Sequence, residues 1–159
     1  MDRGIRLKQL VSGGQTGVDR AGLDFAIGHN IEYTGFIPKG RRAEDGRIAD
    51  KYVHLIELKS RAYRDRTIKN LRYADGTLLI FERFTGGVKL TYNECKKHNK
   101  PIYVIDLNDN TPLPEHKEKF DEWILNNGIA VLNIAGNRES NSKGIYKRAI
   151  TILEHLLLT

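Results

Sequence analysis

Two apolar segments of this chain break into paired glycines and restart at once as helix-like stretches. That pattern limits the folds open to it more than any other feature. In LVSGGQTGVDRAGLDFA, Leu10 to Ala26, the break is Gly13-Gly14; in TGGVKLTYNE, Thr85 to Glu94, it is Gly86-Gly87. Glycines at such a point let the backbone turn sharply and leave N–H groups uncovered where a helix begins. A strand that runs through a tight turn into a helix is the repeating unit of a parallel sheet.

The rest of the chain keeps the alternation. Leu7–Val11, Glu32–Ile37, Gly76–Glu82, Ile102–Leu107 and Ile129–Ala135 read as strands. Gly17–His29, Val88–Asn99, Pro114–Asn127 and Ile145–Leu158 read as helices, and a helix through Tyr63–Ala74 would align Tyr63, Thr67, Asn70 and Ala74. Strands apolar on both faces predict an α/β fold, one mainly parallel sheet with helices on both faces. In such sheets a ligand lies beyond the carboxyl ends of the strands, at the switch in winding direction. The polar and glycine-rich loops follow strands, so they are expected on one edge.

The 159 residues suit a single domain spanning 1–159. A net charge of +6 fits an anionic partner as readily as a merely soluble surface. Cys95 is the only cysteine, so no disulfide forms within the chain and no cysteine metal cluster is available. The five histidines are scattered without metal-ligand spacing, and no protein-bound metal is expected. MDRGIRLKQLV lacks the apolar core of a leader, and no run approaches a membrane span. A reducing, cytoplasmic setting is expected, and no membrane partner.

Five loops carry the candidate chemistry. The first offers Ser12, Gly13, Gly14, Gln15, Thr16, Gly17 and Asp19. It has no lysine, so an anion there would rest on backbone amides and the helix dipole, while Asp19 would meet a hydroxyl or a base N–H, or brace the loop. The second, PKGRRAEDGRIAD, offers the cations Lys39, Arg41 and Arg42 beside Gly40, Glu44 and Asp45. The third offers Thr67 and Asn70, the fourth Gly86, Gly87 and Thr91, and the fifth, NIAGNRESNSKGIY, Gly136, Arg138, Glu139 and Ser140. Asp19, Glu44 and Glu139 are the carboxylates to test for catalysis. Each loop also has a plain structural reading, as a turn, a cap or a solvated ion-paired surface.

SGGQTGVDRAGLD, PKGRRAEDG, RTIKNLRYADGTL, TGGVKLT and LNIAGNRESNSKGIY, in this order, resemble the family of candidate molybdenum-cofactor carrier proteins. That family lies in a Rossmann-like superfamily shared with lonely-guy type phosphoribohydrolases and DNA-processing single-strand binders. The resemblance covers nearly the whole chain. It implies a doubly wound Rossmann-like fold that binds a nucleotide-like or pterin-nucleotide ligand, with the five loops supplying the site. It implies molybdenum cofactor as cargo and molybdoenzymes as partners. Two departures stand out: Val88 replaces a common threonine, removing one hydroxyl, and Asn137 replaces an expected proline, which predicts a less rigid fifth loop.

Three functions compete. The first is a binding protein for a nucleotide-containing cofactor, with no chemistry of its own. The second is a nucleotide-processing enzyme, such as an N-glycosidic-bond hydrolase; the fourth loop lacks the G-T step of the phosphoribohydrolases, which weighs against it. The third is a nucleic-acid binder, from the basic stretch 39–72 with Tyr52, Tyr63 and Tyr73 interleaved. The apolar C-terminal helix makes a homo-oligomer an expectation.

Overall fold

The computed structural model describes residues 7–158. Residues 1–6, most of the stretch read as lacking a leader, lie outside the described residues. In chain order the elements are β1 Gln9–Val11, α1 Val18–Gly28, β2 Tyr33–Ile37, β3 Arg42–Ala43, β4 Gly46–Arg47, β5 Leu55–Glu57, α2 Tyr63–Tyr73, β6 Gly76–Phe81, α3 Gly86–Lys97, β7 Ile102–Asp106, α4 Leu113–Asn127, β8 Val131–Gly136 and α5 Ile145–Leu157. Six strands form one parallel sheet in the order β5-β2-β1-β8-β6-β7. The pair β3–β4 is a separate antiparallel hairpin.

Burial in the central strands follows from their sequences. All six residues of β6, GTLLIF, are buried. Leu78 and Ile80 enter the main core, whereas Leu79 and Phe81 join Val88 in a second cluster on the other face. That is the period-two alternation of a strand covered on both sides. Helices α1 and α4 pack on α5, and α2 packs on α3. Right-handed crossovers place these two groups on opposite faces, because the chain winds one way through α1 and α4 and the other way through α2 and α3.

The apolar stripe of α5, Ile145, Ala149, Ile152, Leu153 and Leu156, is buried within the chain. This removes the sequence argument for an oligomer, since the face that invited a second subunit is already covered. Helix α4 stops at Gly128, which adopts the left-handed conformation (φ 60°) favoured at a helix end. Strand β5 and the β3–β4 hairpin occupy the segment read as loop. Each is three residues or fewer, too short to show a period. Among the described residues no helix is long and apolar enough to cross a membrane.

Candidate functional site: a crevice between two helices

A cavity of about 250 Å³ opens between α2 and α3, over the carboxyl ends of β1 and β8. Small-molecule sites usually span about 300–1,000 Å³, so this one suits a compact ligand or one moiety of a larger one.

The first glycine loop frames the crevice more than it opens into it. Ser12 Oγ donates to the Asp19 carbonyl at 2.7 Å and accepts from Gly14 N at 3.2 Å. Gln15 Oε1 accepts from Thr16 N at 3.1 Å and from Glu44 N at 2.8 Å. Gly17, at φ 79°, presses against the backbone of Asn137 and Arg138, and Val18 N donates to the Asn137 carbonyl at 3.2 Å. The amino end of α1 is therefore closed by the β8–α5 loop. Gly13, Gln15 and Asp19 line the crevice. Ser12, Gly14, Thr16 and Gly17 hold them in place from behind.

The amino end of α3 differs. Thr85 precedes it without capping it through its side chain, and Gly86 and Gly87 are exposed. Their N–H groups find no acceptor among the described residues, and both residues line the crevice. A helix start left bare in this way favours an anion. Thr91 turns its hydroxyl back to the Gly87 carbonyl at 2.8 Å. Val88, where a further hydroxyl was missed, is buried in the second apolar cluster.

The cations that reach the crevice are Arg64, Arg66 and Arg138. Of these, only Arg138 is among the candidates read from the sequence; Arg64 and Arg66 are not. Arg66 is only 6% exposed. Its Nη1 donates to the Gly13 carbonyl at 2.6 Å and its Nε to Thr67 Oγ1 at 3.2 Å. The available signal was spacing, since Arg66 follows Tyr63 by three residues and precedes Asn70 by four. Arg64 reaches Glu94 at 3.1 Å. Arg138 Nε lies 3.4 Å from Glu44 Oε2. Among the described residues it is the one buried side-chain polar atom without a hydrogen bond.

The second loop's cations do not line the crevice. Arg41 donates to the carbonyls of Ile48 (3.0 Å), Ala49 (2.8 Å) and Tyr52 (3.2 Å). Arg42 donates to the Arg61 carbonyl at 2.7 Å and lies 4.4 Å over the Tyr63 ring. Lys39 is exposed, and Gly40 N donates to Glu57 at 2.5 Å. This cluster orders its own loop. Asn70 likewise tethers α2 to β2, accepting from Phe36 N at 2.7 Å and donating to Phe36 O at 3.0 Å. Asn137 takes the amides of Glu82 and Arg83 and gives to the Arg83 carbonyl, so it fixes the loop that the missing proline suggested was loose.

The three candidate carboxylates part company. Glu139 accepts from Gly144 N at 2.6 Å and Tyr146 N at 3.0 Å, serving the start of α5. Glu44 binds the hydroxyl of Thr16 and both the amide (3.1 Å) and hydroxyl (2.5 Å) of Ser140. Its burial works the other way, but the bonds from Ser140 and Thr16 hold its carboxyl below the usual range. Asp19 is the single carboxylate among the crevice residues. Burial pushes it up to about 6, against the opposing pull of Arg66, the Gln15 amide and Arg20. Among the described residues no three His, Cys, Asp or Glu side chains gather as a metal site.

Two variants test this geometry. An alanine Cβ at Gly13 would fall 2.9 Å from Arg66 Cδ and 3.1 Å from Asp19 Oδ2. Gly13→Ala should therefore displace both side chains, costing about 1 kcal/mol of stability in urea unfolding and at least about tenfold in ligand affinity. Glu44→Ala removes the clasp joining the first and fifth loops. It should cost about 1–2 kcal/mol and speed amide exchange at residues 138–142.

A family model described as the circularly permutated YpsA SLOG family matches residues 10–157. The chain belongs to that family. A solved structure of a candidate molybdenum carrier protein from Syntrophus aciditrophicus SB is similar over 100% of this chain and 99% of that one, with 40% identity and a TM-score of 0.93. No protein of curated function matches. The strand order accords with that family description. If β8 is counted first, the sheet reads 4-3-2-1-5-6, a doubly wound Rossmann-like order whose winding reverses between β8 and β6. The crevice takes Asn133, Ile134, Ala135 and Gly136 from β8, so it lies beside that reversal.

Proposed function

We propose that this member of the family binds a nucleotide-containing small molecule in the crevice, with its phosphate at the amino end of α3. The single observation behind this reading is that bare helix start, with the unbonded amides of Gly86 and Gly87 facing a crevice that also holds Arg64, Arg66 and Arg138. Three guanidiniums, one carboxylate and a helix dipole favour a ligand of net negative charge. The similar protein's name, a molybdenum carrier, supports a molybdenum-containing cargo; in our reading that cargo is molybdenum cofactor, handed on to molybdoenzymes in the cytoplasm without chemical change.

A second reading keeps the ligand and adds chemistry. A carboxyl group pushed up to about 6 at the back of a crevice is suited to proton transfer near neutral pH, and an N-glycosidic bond is a substrate it could serve. The nucleic-acid reading loses support. Tyr52 is buried with its hydroxyl on Asp24 at 2.5 Å, and Tyr63 lies against Arg42 and Arg66, which leaves Tyr73 alone of the three exposed to stack on a base.

Native mass spectrometry of protein gently purified from a cell that makes molybdenum cofactor tests the carrier reading. A bound mass of a pterin or pterin nucleotide, with molybdenum, is expected. Protein that carries no such mass and binds no nucleotide by calorimetry overturns it. Turnover of a nucleotide that Asp19→Asn abolishes while binding survives would establish the second reading.

A further inference from the structure

We propose that Asp19 and Arg66 together read the edge of a heterocycle, selecting the 2-amino-4-oxo-pyrimidine edge that guanine and the pterins share. The inference rests on the nucleotide reading above and names the class of ring that the site takes.

The two side chains come from different elements, α1 and α2, and meet at Gly13. Arg66 Nη1 and Asp19 Oδ2 lie 3.0 and 3.1 Å from the point a Cβ on Gly13 would occupy. Yet no ion pair within 4.0 Å joins them. They stand side by side over a position kept empty by glycine. Both are more than nine-tenths buried, Asp19 at 8% exposed and Arg66 at 6%.

Each retains hydrogen-bonding capacity that the protein does not use. Asp19 Oδ2 accepts one long bond from Gln15 N at 3.3 Å, and Oδ1 accepts none among the described residues. Arg66 spends Nη1 on Gly13 and Nε on Thr67, and Nη2 donates to no described residue. A guanidinium carries five N–H donors and an ionised carboxylate only acceptors. Neither free atom is sealed off, since Arg138 Nε alone among the described residues is both buried and without a partner, so both are open to the crevice and to what fills it. A complementary ligand must therefore present an acceptor to Arg66 and, beside it, donors to Asp19.

Common ring edges can be sorted by that rule. A 2-amino-4-oxo ring offers a carbonyl, a ring N–H and an amino group in a row, which meets one donor and two acceptors. Adenine offers one amino donor beside a bare ring nitrogen and leaves half of the carboxylate unserved. Uracil and thymine place a second carbonyl where the amino group should be, against the carboxylate. The remaining lining favours a flat ring, since Gly13 leaves the space between the two side chains empty and Val88 and Ala135, from the second apolar cluster, supply apolar contact. A ribose cis-diol is the competing partner for Asp19, and the test separates the two.

Calorimetry on the full chain would compare GMP, IMP, AMP, 2′,3′-dideoxy-GMP and an unphosphorylated pterin. GMP should bind at least about tenfold more tightly than AMP. IMP, lacking the amino group, should fall between them, and dideoxy-GMP should match GMP. Asp19→Asn and Arg66→Lys, each checked for an intact melting transition, should flatten the GMP-to-AMP ratio towards one. Equal binding of AMP and GMP overturns the inference, and so does loss of binding by dideoxy-GMP, which assigns Asp19 to the sugar. Pterin binding with no nucleotide binding leaves the ring edge standing and removes the phosphate reading. Failure of all five ligands removes both.

Discussion

Alanine at Gly35 is expected to cost more than about 4 kcal/mol, a large part of the 5–15 kcal/mol that usually separates folded from unfolded protein. Gly35 lies within β2, and an added Cβ would fall deep inside the carbonyl oxygen of Ser12, with Ser12 C at 2.8 Å and N at 3.1 Å. The obstruction is backbone, so no rotamer change relieves it. The ladder between Val11 and Thr34 would have to part next to the first glycine loop. Gly28→Ala is the matched control. It lies in the last turn of α1 with nothing within 4 Å of the added atom, and it should be neutral or stabilising by up to about 1 kcal/mol. Urea midpoints of the two variants check both expectations. A Gly35→Ala protein as stable as the parent would refute the close packing of β2 on the Ser12 backbone.

Asp19→Asn is expected to raise stability at neutral pH while weakening binding. An ordinary aspartate titrates at 3.8, and burial raises this one to about 6. Between those values the native state holds a proton that the unfolded chain has released, so the stability contributed by Asp19 falls as pH rises through that window. It is fully present below about 3.8 and lost above about 6, a swing of about 3 kcal/mol. Glu44 and Asp45, held below their usual range, act in the opposite sense, gaining stability as pH rises. The difference between variant and parent isolates Asp19. It should be small at pH 4 and reach about 1–3 kcal/mol in the variant's favour at pH 8, reduced by the lost attraction to Arg66. Parallel unfolding curves across that range would refute the raised titration. The function-bearing group would thus be one the fold is less stable for keeping.

The sheet was legible because its signals are local. β6 and β7 announce themselves as apolar runs, and the helices by their periodicity and by glycine or asparagine at their ends. Family and fold were carried by long loop strings, which include the glycines whose missing side chains the packing requires. What could not be read was the use of each charge. Arg41, Arg42 and Arg66 look alike in a line of residues. Two are occupied by carbonyls of their own loop, while the third crosses from α2 to Gly13. Which arginine is buried depends on a contact 53 residues away in sequence, and no periodicity records that. The two glycine turns were equally ambiguous. Whether a helix start is bare or sealed depends on a third loop, here Asn137 closing over Gly17.

The placement of β8 also bears on how the protein is made. β1 is paired with β2 and β8, and β6 with β7 and β8, so neither flank of the sheet is bonded directly to the other. While the ribosome has yet to deliver residues 131–136, the nascent chain holds two separate ribbons with raw inner margins. Such margins are sticky, and the interval before they are joined is when a chaperone has most to offer. The crevice draws on both ribbons and on the strand between them, so ligand capture should begin only after the last strand has slotted into the gap.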